Sequence, residues 1–212
     1  MSVAPQPRPG LLFRLQEFSR TFPGIAERQT TRNLEPGRQV RGAQRARIRL
    51  WAHLHSCIPA GLRKELTEIN SNAPVVSRHE IAINAPLESV WRVFTEIDRW
   101  PEWNPDIPKA TVAGLIAVGT VIHWETAGMA IPSTIGEVVP LKKIAWSGET
   151  SGILGLHVWT FSAAAEGTQV RTEESWEGAS VPAQTKDLQD ALDASLVRWL
   201  SFLRRRAEAV GP

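Results

Sequence analysis

Two titratable residues, His157 and Glu174, are the strongest candidates for chemistry in this sequence, because both fall in apolar, tryptophan-rich segments. If an imidazole and a carboxyl group lie within about 3 Å of each other, they can polarise a carbonyl group or move a proton, as an aldol-type cyclisation requires. The same pair can instead be a structural contact, because buried polar groups are usually kept only when they have partners. The sequence favours the structural interpretation and leaves the catalytic one open.

Other kinds of catalytic or cofactor site find little support in the sequence. It contains neither a glycine-rich phosphate loop of the Walker or dinucleotide type nor a Gly-x-Ser-x-Gly elbow. The five histidines are scattered, and His53, His55 and Cys57 have no recognisable set of further ligands beside them. We therefore predict no metal site and no cofactor.

The period of two along a β-strand places His157 and Glu174 on one inner face together with apolar and small polar side chains. Ligand pockets are typically apolar and aromatic with a few placed polar groups, and this face has that composition. The alternative is that the tryptophans simply fill a core. The residues predicted to bind a ligand are Ile122, Trp124, Ser133, Ile135, Ile144, Trp146, Trp159, Thr172 and Trp176 on the strands, Leu188, Leu192, Leu196 and Trp199 on a covering helix, and Trp103 near the mouth.

Short alternating segments separated by turn residues predict an antiparallel meander that carries this face. Glycines such as Gly152 and Gly155 are interpreted as turn residues in the gaps between strands, where a positive φ is wanted. The predicted strands cover 75–84, 109–112, 121–126, 133–139, 143–149, 156–163 and 169–177.

Two helices complete the predicted domain. Pro86 suits the first turn of a helix, and the apolar residues that follow it recur at helical spacing until a proline-rich connector at 100–105. The second helix, over 184–209, carries a continuous apolar stripe. An amphipathic helix of about seven turns must lie against an apolar surface, and the sheet is the candidate for that surface.

Several short segments resemble a known family. They read INAPLESVW at 83–91, WPEWNPD at 100–106, IAWSG at 144–148, HVWTF at 157–161, GTQV at 167–170 and ESWEG at 174–178. In this order, with the closing helix, they resemble the START/SRPBCC superfamily and in particular its polyketide cyclase/dehydrase-like branch. The resemblance implies an α+β helix-grip fold, in which a curved antiparallel sheet of about seven strands wraps a long C-terminal helix. It also implies a hydrophobic pocket between them, which binds lipids, hormones or polyketides in the superfamily and catalyses only in some members.

Residues 1–60 read as a basic, poorly patterned arm. Eleven Arg and one Lys stand against five Glu up to Ser77, whereas the remainder carries twelve basic and seventeen acidic residues. We expect a flexible arm or a start codon placed too far upstream, followed by a lead-in helix and linker over 61–76 and the helix-grip domain over 77–212. The arginines at 41, 45, 47 and 49, together with Trp51, could contact nucleic acid or an acidic membrane, and this alternative stays open. Because charge runs are usually solvated, no nucleic-acid partner is expected.

The function predicted from these features is the binding of a small apolar molecule between the sheet and the C-terminal helix. One alternative is a polyketide cyclase or dehydratase that uses His157 and Glu174, and a further one is an interaction module that acts through the basic arm. No apolar run approaches the roughly 20 residues that span a bilayer, and the lone Cys57 suits a reducing compartment. We therefore expect a cytoplasmic protein without stable membrane insertion, and the sequence leaves the oligomeric state and the ligand's identity open.

Overall fold

Seven antiparallel strands form one sheet in the order β1-β7-β6-β5-β4-β3-β2. The computed structural model describes residues 67–210 of the chain. The strands are β1 (Val75–Ile83), β2 (Lys109–Val112), β3 (Val121–Thr126), β4 (Met129–Val139), β5 (Lys143–Thr150), β6 (Ile153–Ala164) and β7 (Gly167–Glu177). The helices are α1 (Leu87–Thr95), α2 (Trp100–Trp103) and α3 (Thr185–Val210), with 3₁₀ turns at Ile97–Arg99 and Pro182–Gln184.

Tight turns join consecutive strands of the meander. Ala127-Gly128 links β3 to β4 and Ser151-Gly152 links β5 to β6, and all four residues have positive φ. Positive φ at both central residues gives the turn the twist that a two-residue hairpin needs. In β4 the register shifts between Ile135 and Glu137, after the last residue of this strand that was predicted to face the pocket. The predicted faces therefore hold despite the irregularity.

The 26-residue helix α3 packs against β1, which is one edge of the sheet. Its Gln189 side chain forms two hydrogen bonds with the backbone of Val76, one accepted from the N–H at 3.1 Å and one donated to the C=O at 2.9 Å. The amide group thus occupies the hydrogen-bonding positions that another strand would take, and it covers part of the open edge of the sheet.

The segment between α1 and β2 differs from the predicted connector, because 100–103 form a short helix. Pro101 fits there, since a proline in the first helical turn loses no backbone hydrogen bond. Trp100 is fully buried, and its Nε1 donates to the carbonyl oxygen of Phe94 at 2.7 Å. This hydrogen bond lets a large indole enter the core with its polar atom satisfied.

The predicted helix-grip architecture is confirmed: a curved seven-stranded antiparallel sheet with a long C-terminal helix. The sheet begins at Val75, and β4 and β6 begin at Met129 and Ile153, a few residues before their predicted starts. Residues 67–70 form a turn and coil rather than the end of the predicted lead-in helix. The rest of that helix and the basic arm lie outside the described residues.

Candidate functional site

The strand register brings the predicted pocket residues of the sheet onto one face. Residues directly opposite each other in an antiparallel pair point to the same side. His157 on β6 lies opposite Glu174 on β7 and opposite Trp146 on β5. The same rule pairs Ile122 with Ser133, Ile135 with Trp146, Ile144 with Trp159, and Trp159 with Thr172, while Trp124 and Trp176 follow Ile122 and Glu174 at a spacing of two.

One half of this inner face is closed by a cluster of aromatic rings around Trp199 of α3. The Trp199 ring lies with centroid distances of 5.3–6.4 Å from those of the indoles that surround it. These indoles belong to Trp100, Trp124, Trp146 and Trp159. Because all five rings are buried or nearly so, they pack against one another as a core in this half.

The other half of the face carries two glycines and a partly accessible tryptophan on its strands. Gly148 and Gly155 form its floor on β5 and β6, and the half-buried Trp176 stands beside them on β7. We call this region the open end. The predicted helix residues Leu188, Leu192 and Leu196 lie here in a second apolar cluster with Val75 and Val181, against which Trp176 packs. The structure therefore separates these three leucines from Trp199, although all four were predicted to form one lid.

His157 and Glu174 meet between the two halves. His157 Nδ1 lies 3.2 Å from Glu174 Oε2, but the two atoms are not aligned for a hydrogen bond. His157 Nε2 forms a hydrogen bond of 2.7 Å with Thr172 Oγ1, and Trp176 Nε1 donates to Glu174 Oε1 at 2.7 Å. The distance between His157 and Glu174 thus satisfies the geometric condition for an acid/base pair. The hydrogen bonds of these two residues to Thr172 and Trp176 also fit a structural role.

Burial shifts the pKa values of the two groups of this pair in opposite directions. The His157 side chain is 2% exposed, and burial lowers its pKa to about 3 because the charged imidazolium is disfavoured away from water. The Glu174 side chain is 13% exposed, and burial raises the pKa of its carboxyl group to about 7, against which the hydrogen bond from Trp176 acts. Near neutral pH the pair therefore consists of a neutral imidazole and a carboxyl group that readily gains or loses a proton.

Several buried ring nitrogens lack a hydrogen-bond partner within residues 67–210. They are Nε1 of Trp103, Trp159 and Trp199 and Nδ1 of His157. Most buried polar atoms in proteins are hydrogen-bonded, so these unpaired ring nitrogens require an explanation. Each indole N–H can donate to an oxygen atom of a bound molecule.

A polar cluster between β1 and α3 was missed by the sequence reasoning. The hydroxyl group of Ser77 donates to Asp193 Oδ1, and His79 Nε2 lies 3.3 Å from the same oxygen. Gln189 donates to the other carboxylate oxygen at 3.0 Å. The serine contacts the aspartate rather than the histidine, so this is not the arrangement of a serine nucleophile. The sequence signal for it was weak, because Asp193 lies off the apolar stripe of its helix.

Within the part of the chain that the structure describes, no three His, Cys, Asp or Glu side chains group together in a way that could hold a metal ion. No helix among the same residues is long and apolar enough to cross a bilayer.

Known proteins resemble this chain in sequence and in fold. The "Oxopyrrolidines biosynthesis cluster protein O" of Penicillium oxalicum is 29% identical over 147 residues, which cover 55% of this chain and 72% of that protein. A START superfamily protein from Mycobacterium smegmatis superposes with a TM-score of 0.54 at 12% identity, over 64% of this chain and 98% of that one. The di-domain ARO/CYC BexL from the BE-7585A biosynthetic pathway superposes with a TM-score of 0.55 at 18% identity, over 78% of this chain and 58% of that one. At these identities the two structures show the fold.

The sequence model of a family described as polyketide cyclase / dehydrase and lipid transport matches residues 74–208, which is more than half of the chain. The match spans all seven strands and nearly the whole of α3. It confirms the resemblance seen in the sequence, and it supports a role in hydrophobic ligand binding or cyclisation without separating the two. The chain belongs to the polyketide cyclase/dehydrase and lipid transport family.

Proposed function

We propose that this protein binds a small, largely apolar molecule that carries at least one hydrogen-bond acceptor oxygen, in the space between the sheet and α3. The molecule enters at the open end, beside Trp176 and Glu174, and lies against the aromatic cluster around Trp199. Such a site combines apolar walls with a few polar groups, as small-molecule sites generally do.

The observation that carries this proposal is the set of unpaired indole N–H groups of Trp103, Trp159 and Trp199. A buried donor without a partner costs roughly 1–3 kcal/mol. A ligand that supplies an acceptor recovers part of this free energy, whereas a pure hydrocarbon does not. The site should therefore discriminate between molecules of the same shape by the presence of a carbonyl oxygen.

A matched pair of probes tests the proposal. We expect 2-acetylnaphthalene to bind about five- to tenfold more tightly than 2-ethylnaphthalene, because only the ketone accepts a hydrogen bond, which is worth about 1 kcal/mol. Isothermal titration calorimetry gives both dissociation constants, and the quenching of tryptophan emission provides a second readout. If neither probe binds, the inner face is a filled core and the proposal is wrong.

Tryptophan variants supply the control for this experiment. Trp199→Phe keeps an aromatic ring but removes the N–H, so it should reduce the preference for the ketone over the hydrocarbon. Trp91→Phe is the matched control, because Trp91 is half-buried and packs edge-on against Phe161 at a centroid distance of 5.2 Å. It should lower stability without changing the preference. An equal effect of the two variants on the preference would contradict a role for the Trp199 N–H.

A second candidate function, cyclisation of a molecule with several carbonyl groups, is favoured by the 3.2 Å contact between His157 and Glu174 and by the raised pKa of Glu174, which lets this carboxyl group exchange a proton near neutral pH. The Glu174 carboxylate, whose pKa of about 7 suits a general base, would take the proton from a carbon atom between two carbonyl groups. As that carbon forms a bond to another carbonyl carbon, protonated Glu174 would give its proton to the new alkoxide oxygen, which restores the carboxylate. Neutral His157, 3.2 Å away, would hold the carboxyl group in position.

Turnover separates the two functions. Nonane-2,4,6,8-tetraone, in which C3 can attack the C8 carbonyl and close a six-membered ring, should give no cyclised product above the rate in buffer if the site only binds. A product detected by mass spectrometry, with a rate that falls about a hundredfold in Glu174→Gln while binding persists, would instead establish the enzyme.

A further inference from the structure

Gly155 occupies an interior position of β6 without a conformational reason. Its φ is not positive, unlike that of Gly152 in the preceding turn. In this position a glycine weakens a strand relative to a residue with a side chain. A Cβ atom at residue 155 would lie 3.4 Å from Glu174 Oε1 and from Trp176 Nε1, which is ordinary van der Waals contact. Packing therefore leaves room for a Cβ atom that the sequence omits.

The neighbouring glycine shows the opposite situation. Gly148 lies across from Gly155 on β5, and a Cβ there would lie 2.6 Å from Ser133 Oγ. That hydroxyl group accepts a hydrogen bond of 3.0 Å from Trp124 Nε1. Gly148 is thus required by the packing of the protein itself, whereas Gly155 is not.

A second observation points to a ligand at this place. His157 stands two residues along the same strand and on the same face, and its side chain is 2% exposed. Its unpaired Nδ1 faces Glu174, whose other carboxyl oxygen lies over Gly155. The absent side chain thus adds no atoms beside this buried pair of acid/base groups, at the end of the inner face where Glu174 and Trp176 are partly accessible.

We propose that Gly155 determines the size of the molecule that the protein accepts. The flat floor at residue 155 admits a planar group wider than one six-membered ring, with the second ring over Gly155 and against the Trp176 indole, while the ligand's oxygen points toward the indole N–H groups around Trp199. This inference rests on the proposed function, since it specifies where the bound molecule lies. It is independent of whether the molecule reacts.

Probes of two sizes test this assignment in the full-length protein. For Gly155→Val we expect the affinity for 2-acetylnaphthalene to fall about tenfold, while the affinity for acetophenone changes by about twofold or less, because the valine side chain fills only the space that the second ring needs. Gly155→Ala should give an intermediate loss for the larger probe. The ratio of the two dissociation constants, measured by calorimetry, is the readout that a general loss of stability would not change.

The control is Ser162→Val, which adds a side chain of the same size to the same strand. Residue 162 is exposed and lies on the opposite face of the sheet from residue 155. It should bind both probes as the wild type does. If Gly155→Val fails to fold, as judged by thermal melting, Gly155→Ala decides the question. Unchanged or equally weakened binding of the two probes would overturn the role of Gly155 while the proposed function stands. Absence of binding by the wild-type protein would overturn both.

Discussion

Leu192→Asp is expected to destabilise the domain by about 4 kcal/mol or more, enough to abolish cooperative folding in a protein of ordinary stability. Leu192 is 1% exposed and lies in the apolar cluster between α3 and β1. An aspartate at this position would either bury an unpaired charge or take up a proton, and both are costly. Urea denaturation followed by far-ultraviolet circular dichroism measures the loss, and Leu196→Asp should behave alike.

Val197→Asp is the matched control, because Val197 lies on the same helix and is 50% exposed. Its effect should stay within about 0.5 kcal/mol of the wild type, as is usual for surface positions. Comparable losses at residues 192 and 197 would show that the buried face of α3 is wrongly assigned. Arg198 is unsuitable as a control, although it lies off the apolar stripe. Its Nε donates to Asp106 Oδ2 at 2.7 Å, so an aspartate there would bring two carboxylates together.

The buried face of α3 could be predicted because a helix repeats its environment every 3.6 residues, and the buried stripe runs from Leu188 to Ala207. The strands could be predicted because turn residues interrupt the chain at short intervals and the inward residues alternate. Both signals are local, so a single sequence contains them. This is why the face shared by Trp146, His157 and Glu174 was predictable although the partners lie on different strands.

The division of that face into a closed half and an open end was not predictable from the same signals. Leu192 and Trp199 belong to one apolar stripe, yet they pack in different clusters, because the sheet opposite them carries tryptophans in one region and glycines in another. Gly155 was interpreted as a turn residue because glycines mark the gaps between predicted strands, where a positive φ is wanted. Its actual place in β6 depends on pairing with Gly148 and Trp176, which the sequence does not display.

The pH dependence of stability should reveal whether His157 and Glu174 have the opposite shifts that their burial implies. In the unfolded chain their pKa values are about 6.5 and 4.5, whereas in the folded protein they are about 3 and about 7. Between pH 4.5 and 6.5 the pair holds one proton in both states, on His157 when unfolded and on Glu174 when folded. The pair therefore contributes no slope in this interval, because the slope follows the difference in bound protons.

Single variants at these two positions should reveal the two opposite pH dependences of stability, which cancel in the wild type. In His157→Gln only the raised pKa of Glu174 remains, so stability is highest below pH 4.5 and falls by on the order of 3 kcal/mol as the pH rises to about 7. In Glu174→Gln only the lowered pKa of His157 remains, so stability is highest above pH 6.5 and falls as the solution is acidified toward pH 3. Urea denaturation at several pH values measures both trends relative to the wild type, which removes the contribution of the other titrating groups. If the two variants showed parallel pH profiles, the pair would be solvated rather than buried, and an acid/base role for Glu174 beside His157 would lose its electrostatic basis.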